Sequence, residues 1–191
     1  MISLLLDTHN DKLTIIIYKD DKVLDMISKN DTKNHSEIFM PLLISLLEKN
    51  KMSVHDINEI IAIVGPGSFT GIRLGVTVAK TLAYTLNIPI KSLTSLEACY
   101  DPKMASEYIL QEEKNGFYGA HIINNELKDY FYLTIKEYNE WSKINSYVME
   151  NELLVDRIPL IIKDKKSENP HSVNPLYVKK IEALKWLLKL K

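Results

Sequence analysis

Apolar runs and short polar turns alternate along the first thirty residues, with the spacing of strands. Residues 2–6 form an unbroken apolar run but for one serine, residues 13–18 a second one rich in isoleucine, and residues 23–28 a third, weaker one. The stretches between them, Asp7-Thr8-His9-Asn10-Asp11 and residues 19–22, are short enough to be turns, so the three runs predict an antiparallel meander. From position 34 the pattern turns helical and holds to position 49. Asn34 is placed to cap this helix, and Glu37 stands three residues on, close to a capping-box arrangement. Eight apolar positions crowd the helix (Ile38, Phe39, Met40, Leu42, Leu43, Ile44, Leu46, Leu47). That is more than one stripe, as expected of a helix sandwiched in a core or half inside an interface.

Residues 60–64 are a short apolar run rich in isoleucine, the signature of a strand buried on both faces. Gly65-Pro66-Gly67-Ser68 stops it, and Gly71 follows. Three glycines in seven residues allow a sharp turn and a close approach by another group. Ser68 or Thr70 can cap the helix expected over 71–86. Nine of its sixteen residues are apolar and only Arg73 and Lys80 are charged. One face can pack on a sheet; the rest carries too little charge for a purely solvated surface and points to a second partner surface. A glycine-rich turn between strand and helix also invites a phosphate. No lysine follows the last glycine, however, and the spacing is not GxGxxG, so a structural turn is the stronger reading of Gly65, Pro66, Gly67, Ser68 and Gly71.

Residues 53–58 read as a connector or short helix, with Ser53 and Asp56 in capping positions. A short strand begins at Ile88-Pro89-Ile90, and residues 92–100 read as loop then helix. The order, three meander strands followed by strands joined through helices, is that of a ribonuclease-H-like lobe. Asp101-Pro102 marks the expected boundary, dividing the chain into an N-terminal lobe (1–101) and a reduced C-terminal lobe (102–191). Beyond it the patterns weaken to strands over 105–111, 116–123 and 127–134, a helical stretch over 135–141, an apolar run over 153–162 broken by Pro159, a polar loop over 163–170, and a final amphipathic helix from Leu176 to Leu188. No internal repeat stands out in the sequence.

With 191 residues, 46% of them hydrophobic and 26% charged, the composition is that of an ordinary soluble globular protein with room for a real core. A formal charge of −1 excludes a strong autonomous nucleic-acid footprint. The charge is uneven, though: residues 163–191 hold eight lysines against three acids. A solvated helix face explains that better than contact with RNA. No apolar run reaches membrane-spanning length, and strand-like sequence follows Met1 directly without a basic leader, so no membrane partner and a cytoplasmic location are expected.

Chemistry-bearing residues are sparse. Cys99 is the only cysteine, which leaves no disulfide framework or cysteine zinc cluster. The five histidines are scattered without the i, i+4 spacing of HExxH or HxxxH, so no metal site is expected. Ser68 lies in PGSFTG rather than GxSxG, with no base nearby in sequence. Asp7 and Thr8, at the end of the first strand, would face a nucleotide or metal in one reading and cap the hairpin in the other. No catalytic residue is assigned. The pattern suits an interaction subunit better than an enzyme, with a stand-alone peptidase-like or nucleotide-binding protein as the alternative.

The segments NHSEIFMPLL, GPGSFTGIRLG, VAKTLA, NIPI and TSLEA, spread from Asn34 to Leu96, resemble the TsaB family, also called YeaZ. The opening strand followed by Asp7-Thr8 fits it as well. The resemblance covers about the first hundred residues. It implies an α/β fold of the actin and sugar-kinase type, with two ribonuclease-H-like lobes and a degenerate second one. It further implies a subunit without its own catalytic metal motif, supporting the synthesis of threonylcarbamoyladenosine at position 37 of tRNAs that read codons beginning with A. The implied partners are a TsaD-type catalytic subunit, a TsaE-type ATPase and a second copy of the chain. tRNA would be met only through the complex, and ATP used by the complex rather than held by this chain, which needs no cofactor by itself. Carried over by residue, the interface falls on His35, Ile38, Phe39, Leu42 and Leu46 of one helix, and on Arg73, Val76, Lys80 and Tyr84 of the other. The sequence departs from the family in places. His9-Asn10 stand where small residues are usual, which weakens the case for a nucleotide in the interlobe cleft. The second lobe opens with QEEKNGFYGAHI, keeping only the aromatic position at Tyr118, and the chain is shorter than most members. The late NPLYVKK stretch resembles the family's PxYLR-like segment.

Overall fold

The computed structural model describes residues 1–30 and 34–179. The meander forms as the pattern predicts: β1 (Ile2–Asp7), β2 (Lys12–Lys19) and β3 (Lys22–Asn30) pair antiparallel. Helix α1 (His35–Lys49) crosses over to β4 (Glu59–Ile63), which lies parallel to β1, and α2 (Phe69–Leu86) crosses to β5 (Ile90–Leu93), parallel to β4. The sheet order is β3-β2-β1-β4-β5. Asn34 does not cap α1 with its side chain; its carbonyl accepts from the Glu37 and Ile38 amides instead. Ser68 does cap α2, its hydroxyl accepting from the Gly71 amide at 3.3 Å.

The central strands are apolar on both sides because both faces are covered. Leu4, Leu6, Ile15, Ile17, Ile60 and Ala62 meet α1 and α2 on one face. On the other, Leu5, Ile16, Ile61 and Ile63 meet Ala98 of α3 (Ser95–Cys99) together with Ile158 and Ile162 of α5 (Ile158–Lys163). Pro159 does not break the last of these helices. It occupies the first turn, where its missing N–H has no intrahelical partner to lose.

A second sheet holds β6 (Tyr108–Glu113), β7 (Gly116–Ile123), β8 (Glu126–Thr134) and β9 (Tyr147–Met149), in the order β8-β7-β6-β9. Here too a meander is followed by a helix, α4 (Ile135–Trp141), and a strand parallel to the first strand of the set. This repeats the plan of β1–β4 without the second helix and fifth strand, a repeat carried by topology and not by sequence. The fold is the two-lobed α/β architecture of the actin type with a shortened second lobe.

Helix α3 joins the lobes. Ala98 packs on the first sheet, while Leu96 and Cys99 pack against Ile109 and Ala120 of the second. The chain after β9 then returns to the first sheet. Ile158 and Ile162 lie on one face of it and Val173 on the other. Positions 176–179, where the sequence predicts the start of a final helix, are not helical. The remainder of that predicted helix, with four of the eight lysines of the basic stretch, falls outside the described residues. No helix among the described residues is long and apolar enough to cross a membrane.

Candidate functional site

The glycine-rich turn after β4 lies against the end of β1, and its glycines are explained by that contact. A Cβ at Gly67 would overlap the His9 carbonyl, one at Gly71 the Thr8 carbonyl, and one at Gly75 the Thr8 hydroxyl. The Ser68 amide donates to the His9 carbonyl at 2.6 Å, and the Thr8 hydroxyl donates to the Gly71 carbonyl at 2.6 Å. Gly65 has a φ of +99°, a conformation L side chains rarely adopt. Backbone approaches backbone here, and that close approach accounts for the glycines.

Asp7 and Thr8 point inward, 2% and 0% exposed. Thr8 is spent on Gly71. One Asp7 carboxylate oxygen accepts from the His9 amide at 3.0 Å and from His9 Nδ1 at 2.7 Å. His9, itself 2% exposed, turns Nε2 toward Asn10 Nδ2 (3.2 Å) and Gln111 Nε2 (3.0 Å). The Asn10 amide is oriented by its oxygen, which accepts from the Lys12 amide. Its NH2 group therefore faces the imidazole, which makes Nε2 the acceptor and leaves the proton on Nδ1 for Asp7. Across the lobe boundary, the Ser95 hydroxyl is shared between the Gln111 amide oxygen (2.9 Å) and the Pro66 carbonyl (2.7 Å). The result is a buried polar chain, Asp7–His9–Gln111–Ser95, that ties the end of β1 to β6 of the second sheet. The Tyr118 hydroxyl adds a bond to the Gly67 carbonyl at 3.2 Å, and Thr94 Oγ1 lies 3.1 Å from the Tyr130 hydroxyl.

This chain has an acid and an oriented histidine but no nucleophile on the far nitrogen. Two amides occupy Nε2. Ser68 Oγ is engaged as a helix cap. Cys99 is fully buried, and burial foremost, with the Asp7 charge adding to it, pushes its thiol up to about 12. We therefore expect Cys99 in the native protein to resist a thiol reagent such as DTNB at pH 8 and to react fully in guanidinium. Rapid native labelling would show that the seam between the sheets opens. Among the described residues no three His, Cys, Asp or Glu side chains gather closely enough to hold a metal ion.

The residues expected at a partner interface split in two. Phe39, Leu42 and Leu46 of α1 and Val76 of α2 are at most 9% exposed and belong to the core of the first lobe. With Leu43 and Leu47 the first three follow i, i+3, i+4 spacing, which is the core stripe itself. They need correction as interface residues, since a partner could reach them only by unfolding the lobe. The others sit nearer the surface. Ile38 is half-buried, and His35 donates from Nε2 to the Asp11 carbonyl at 3.3 Å. Arg73 is exposed, its guanidinium 5.2 Å from the Phe69 ring centre. Lys80 is spent on the returning chain, donating to the carbonyls of Val173 (2.8 Å) and His171 (3.3 Å). Tyr84 is well exposed and stacks edge-on with His171. The apolar excess that drew attention to α1 resides in Met40 and Ile44, 41% and 47% exposed one turn apart. On α2 it resides in Leu74, Val78 and Leu82, half-buried one turn apart in succession. Subtracting the core stripe from each helix would have found these residues.

His9 and Gln111 were missed. His9 differs from the small residue expected there, and Gln111 is a polar residue on the inward side of β6 next to Ile109. Each signal is visible in sequence, but the 102 residues between them hide the pairing.

Comparison with known proteins places these features. A family model described as TsaD, tRNA N6-adenosine threonylcarbamoyltransferase, matches residues 22–109. The chain is 44% identical over 97 residues to the tRNA threonylcarbamoyladenosine biosynthesis protein TsaB of Bacillus subtilis, covering 51% of this chain and 42% of that one. It is 29% identical over 133 residues to the protein of the same name from Buchnera aphidicola, covering 66% and 63% respectively. The chain thus spans about half the length of the curated relatives it matches. Among solved structures, YeaZ from Pseudomonas aeruginosa aligns with a TM-score of 0.69 over 92% of this chain and 99% of that one, at 16% identity. A second P. aeruginosa structure, described as similar to peptidase YeaZ, gives 0.71 over 93% and 99% at 15% identity. At that level of identity the likeness is one of fold.

Proposed function

We propose that the chain is a TsaB (YeaZ)-type protein that serves the synthesis of threonylcarbamoyladenosine in tRNA as a subunit without catalytic chemistry of its own. Its task is to bind a TsaD-type catalytic subunit. The contact surface is the outer faces of α1 and α2, centred on Met40 and Ile44 with Leu74, Val78, Leu82 and Tyr84. One observation carries this reading: Met40 and Ile44 of α1 and Tyr84 of α2 stay exposed after the core stripes of their helices are complete, with Leu74, Val78 and Leu82 half-buried beside them. Burying a side chain of that size is worth roughly 1.5–3 kcal/mol, so a handful of them suffices to hold a partner. A second copy of the chain can use the same face when the partner is absent. The buried Asp7–His9–Gln111 chain supports a rigid scaffold, because it fills the seam between the lobes with the protein's own side chains. In this scheme ATP enters with a TsaE-type ATPase, tRNA is met through the complex, and the work is done in the cytoplasm.

The test is co-expression with the TsaD-type subunit of the same organism, followed by size-exclusion chromatography with light scattering. A single peak holding one copy of each chain is expected. Two separate peaks would overturn the reading.

A further inference from the structure

Where α3, α5 and the β7–β8 turn meet lies a cavity of about 340 Å3, near the lower end of the roughly 300–1,000 Å3 span of small-molecule sites. Glu97, Tyr100 and Pro102 line it from α3 and the residues that follow, Arg157 and Ile161 from α5 and its N-cap, and residues 125–127 from the turn. That turn is at the opposite end of β7 from Tyr118 and the glycine-rich loop it bonds. Tyr100 is 5% exposed, and among the described residues its hydroxyl is the one buried side-chain nitrogen or oxygen without a hydrogen-bond partner. Buried polar groups are ordinarily bonded, so this one calls for a partner that the chain does not supply. Burial foremost raises the pKa of the phenol, while Arg157 works against the rise and Asp101 with it, so both charges act on the hydroxyl. Arg157 has donors to spare as well. Its Nη1 bonds Asp101 Oδ1, which the Lys103 amide also holds at 3.0 Å, and among the described residues Nε and Nη2 have no partner. The acids that line the cavity are matched. Glu97 has Lys165 at 2.8 Å and the Thr94 amide at 2.8 Å, and Glu126 has Lys128 at 3.0 Å.

We infer that this cavity binds a small aliphatic carboxylate. The unmet groups at Tyr100 and Arg157 are donors, and Nε and Nη2 form the edge of the guanidinium that takes two carboxylate oxygens side by side. One of those oxygens also accepts from the Tyr100 hydroxyl. Pro102, Leu127 and Ile161 receive the aliphatic body. Glu97, Asp101 and Glu126 are each offset by a single cation, so the site admits one further negative charge and turns away the two of a phosphate. The carboxylate can belong to a free amino acid, whose ammonium would meet Glu126, or to an acid without an amine. α3 and α5 cover the face of the first sheet opposite α1 and α2, so the site goes beyond the proposed role of those helices, and either proposal can fail without the other.

The probes are 4-methylpentanoate, L-leucine and inorganic phosphate, titrated into the purified full chain by calorimetry and by NMR. 4-Methylpentanoate is expected to bind and phosphate is not, with intermolecular NOEs from the ligand methyls to Leu127 and Ile161. Leucine binding above 4-methylpentanoate identifies an amino acid as the source, and binding below it an acid without an amine. Tyr100→Phe removes only a hydroxyl that bonds nothing in the chain. It is expected to leave the melting temperature unchanged and to weaken 4-methylpentanoate about tenfold. Arg157→Lys keeps a cation beside Asp101 but loses the planar fork, and an equal or larger loss of affinity is expected. Absence of the NOEs at millimolar probe, phosphate binding as tight as that of the carboxylate, or wild-type affinity in Tyr100→Phe would overturn the inference. The NOE arm uses the wild-type chain and needs no variant to fold.

Discussion

Ile44→Lys is expected to abolish co-elution with the TsaD-type subunit while leaving the fold and its melting temperature close to those of the wild type. Ile44 is nearly half exposed on α1, one turn from Met40, and is not one of the buried residues of the core. A surface substitution of this kind usually moves stability by no more than about 0.5 kcal/mol. In the complex the same lysine would bring a charge into an apolar contact and remove a side chain from it. Losses at the centre of an interface run to roughly 2–4 kcal/mol, or about 30- to 1,000-fold in affinity. Phe39→Lys supplies the contrast from the same helix. Phe39 is 1% exposed. An unpaired charge there costs several kcal/mol out of the roughly 5–15 that hold a domain together. That variant should be lost as insoluble protein, and its failure to bind would say nothing of the interface. If Ile44→Lys folds and still co-elutes with the partner, the outer face of α1 is not the contact surface.

The contrast between Ile44 and Phe39 also shows what the sequence discloses and what it withholds. Periodicity is a local property, and local properties were legible: the meander, both crossover helices, the glycine turn and the hairpins of the second sheet all lie where the pattern puts them. The excess of apolar residues on α1 was legible too. Which of them belonged to the core was not, because that depends on the angle at which the helix meets the sheet. β9 escaped notice because three residues carry no period. The return of the chain to the first sheet, through Ile158, Ile162 and Val173, escaped for a different reason. Nothing in a short apolar run says which of two sheets it will cover. The seam between the lobes is the extreme case. Asp7 reads as a ligand-facing acid only while its neighbour is unknown. Once His9 and Gln111 are in place, the carboxylate is a buried structural group.

That seam should respond strongly to a single change. His9→Ala is expected to destabilise the protein by about 2–4 kcal/mol. Asp7 would keep only the amide of its own turn, in a site 2% exposed. Hydrogen bonds to charged groups contribute roughly 1.5–3 kcal/mol each, and a buried polar group left unpaired adds a further penalty. Gln111 would lose the imidazole and be left facing Cys99 Sγ at 3.7 Å, a weak acceptor. The vacated ring volume adds a cavity cost in the same direction. Gln111→Ala should also destabilise, but by less, since a neutral amide is removed and Asp7 keeps its histidine. The two changes are expected not to add. In a double-mutant cycle followed by chemical denaturation, a coupling of roughly 1–3 kcal/mol is expected between residues that share one buried bond. Hydrogen exchange distinguishes a link between sheets from a merely local loss. If His9 and Gln111 hold the lobes together, either variant should speed exchange in β6 and β7 as well as around the β1–β2 turn, which lies a whole lobe away in the chain. A coupling near zero, with faster exchange confined to the turn, would mean that α3 and its apolar contacts join the two sheets without help from the polar chain.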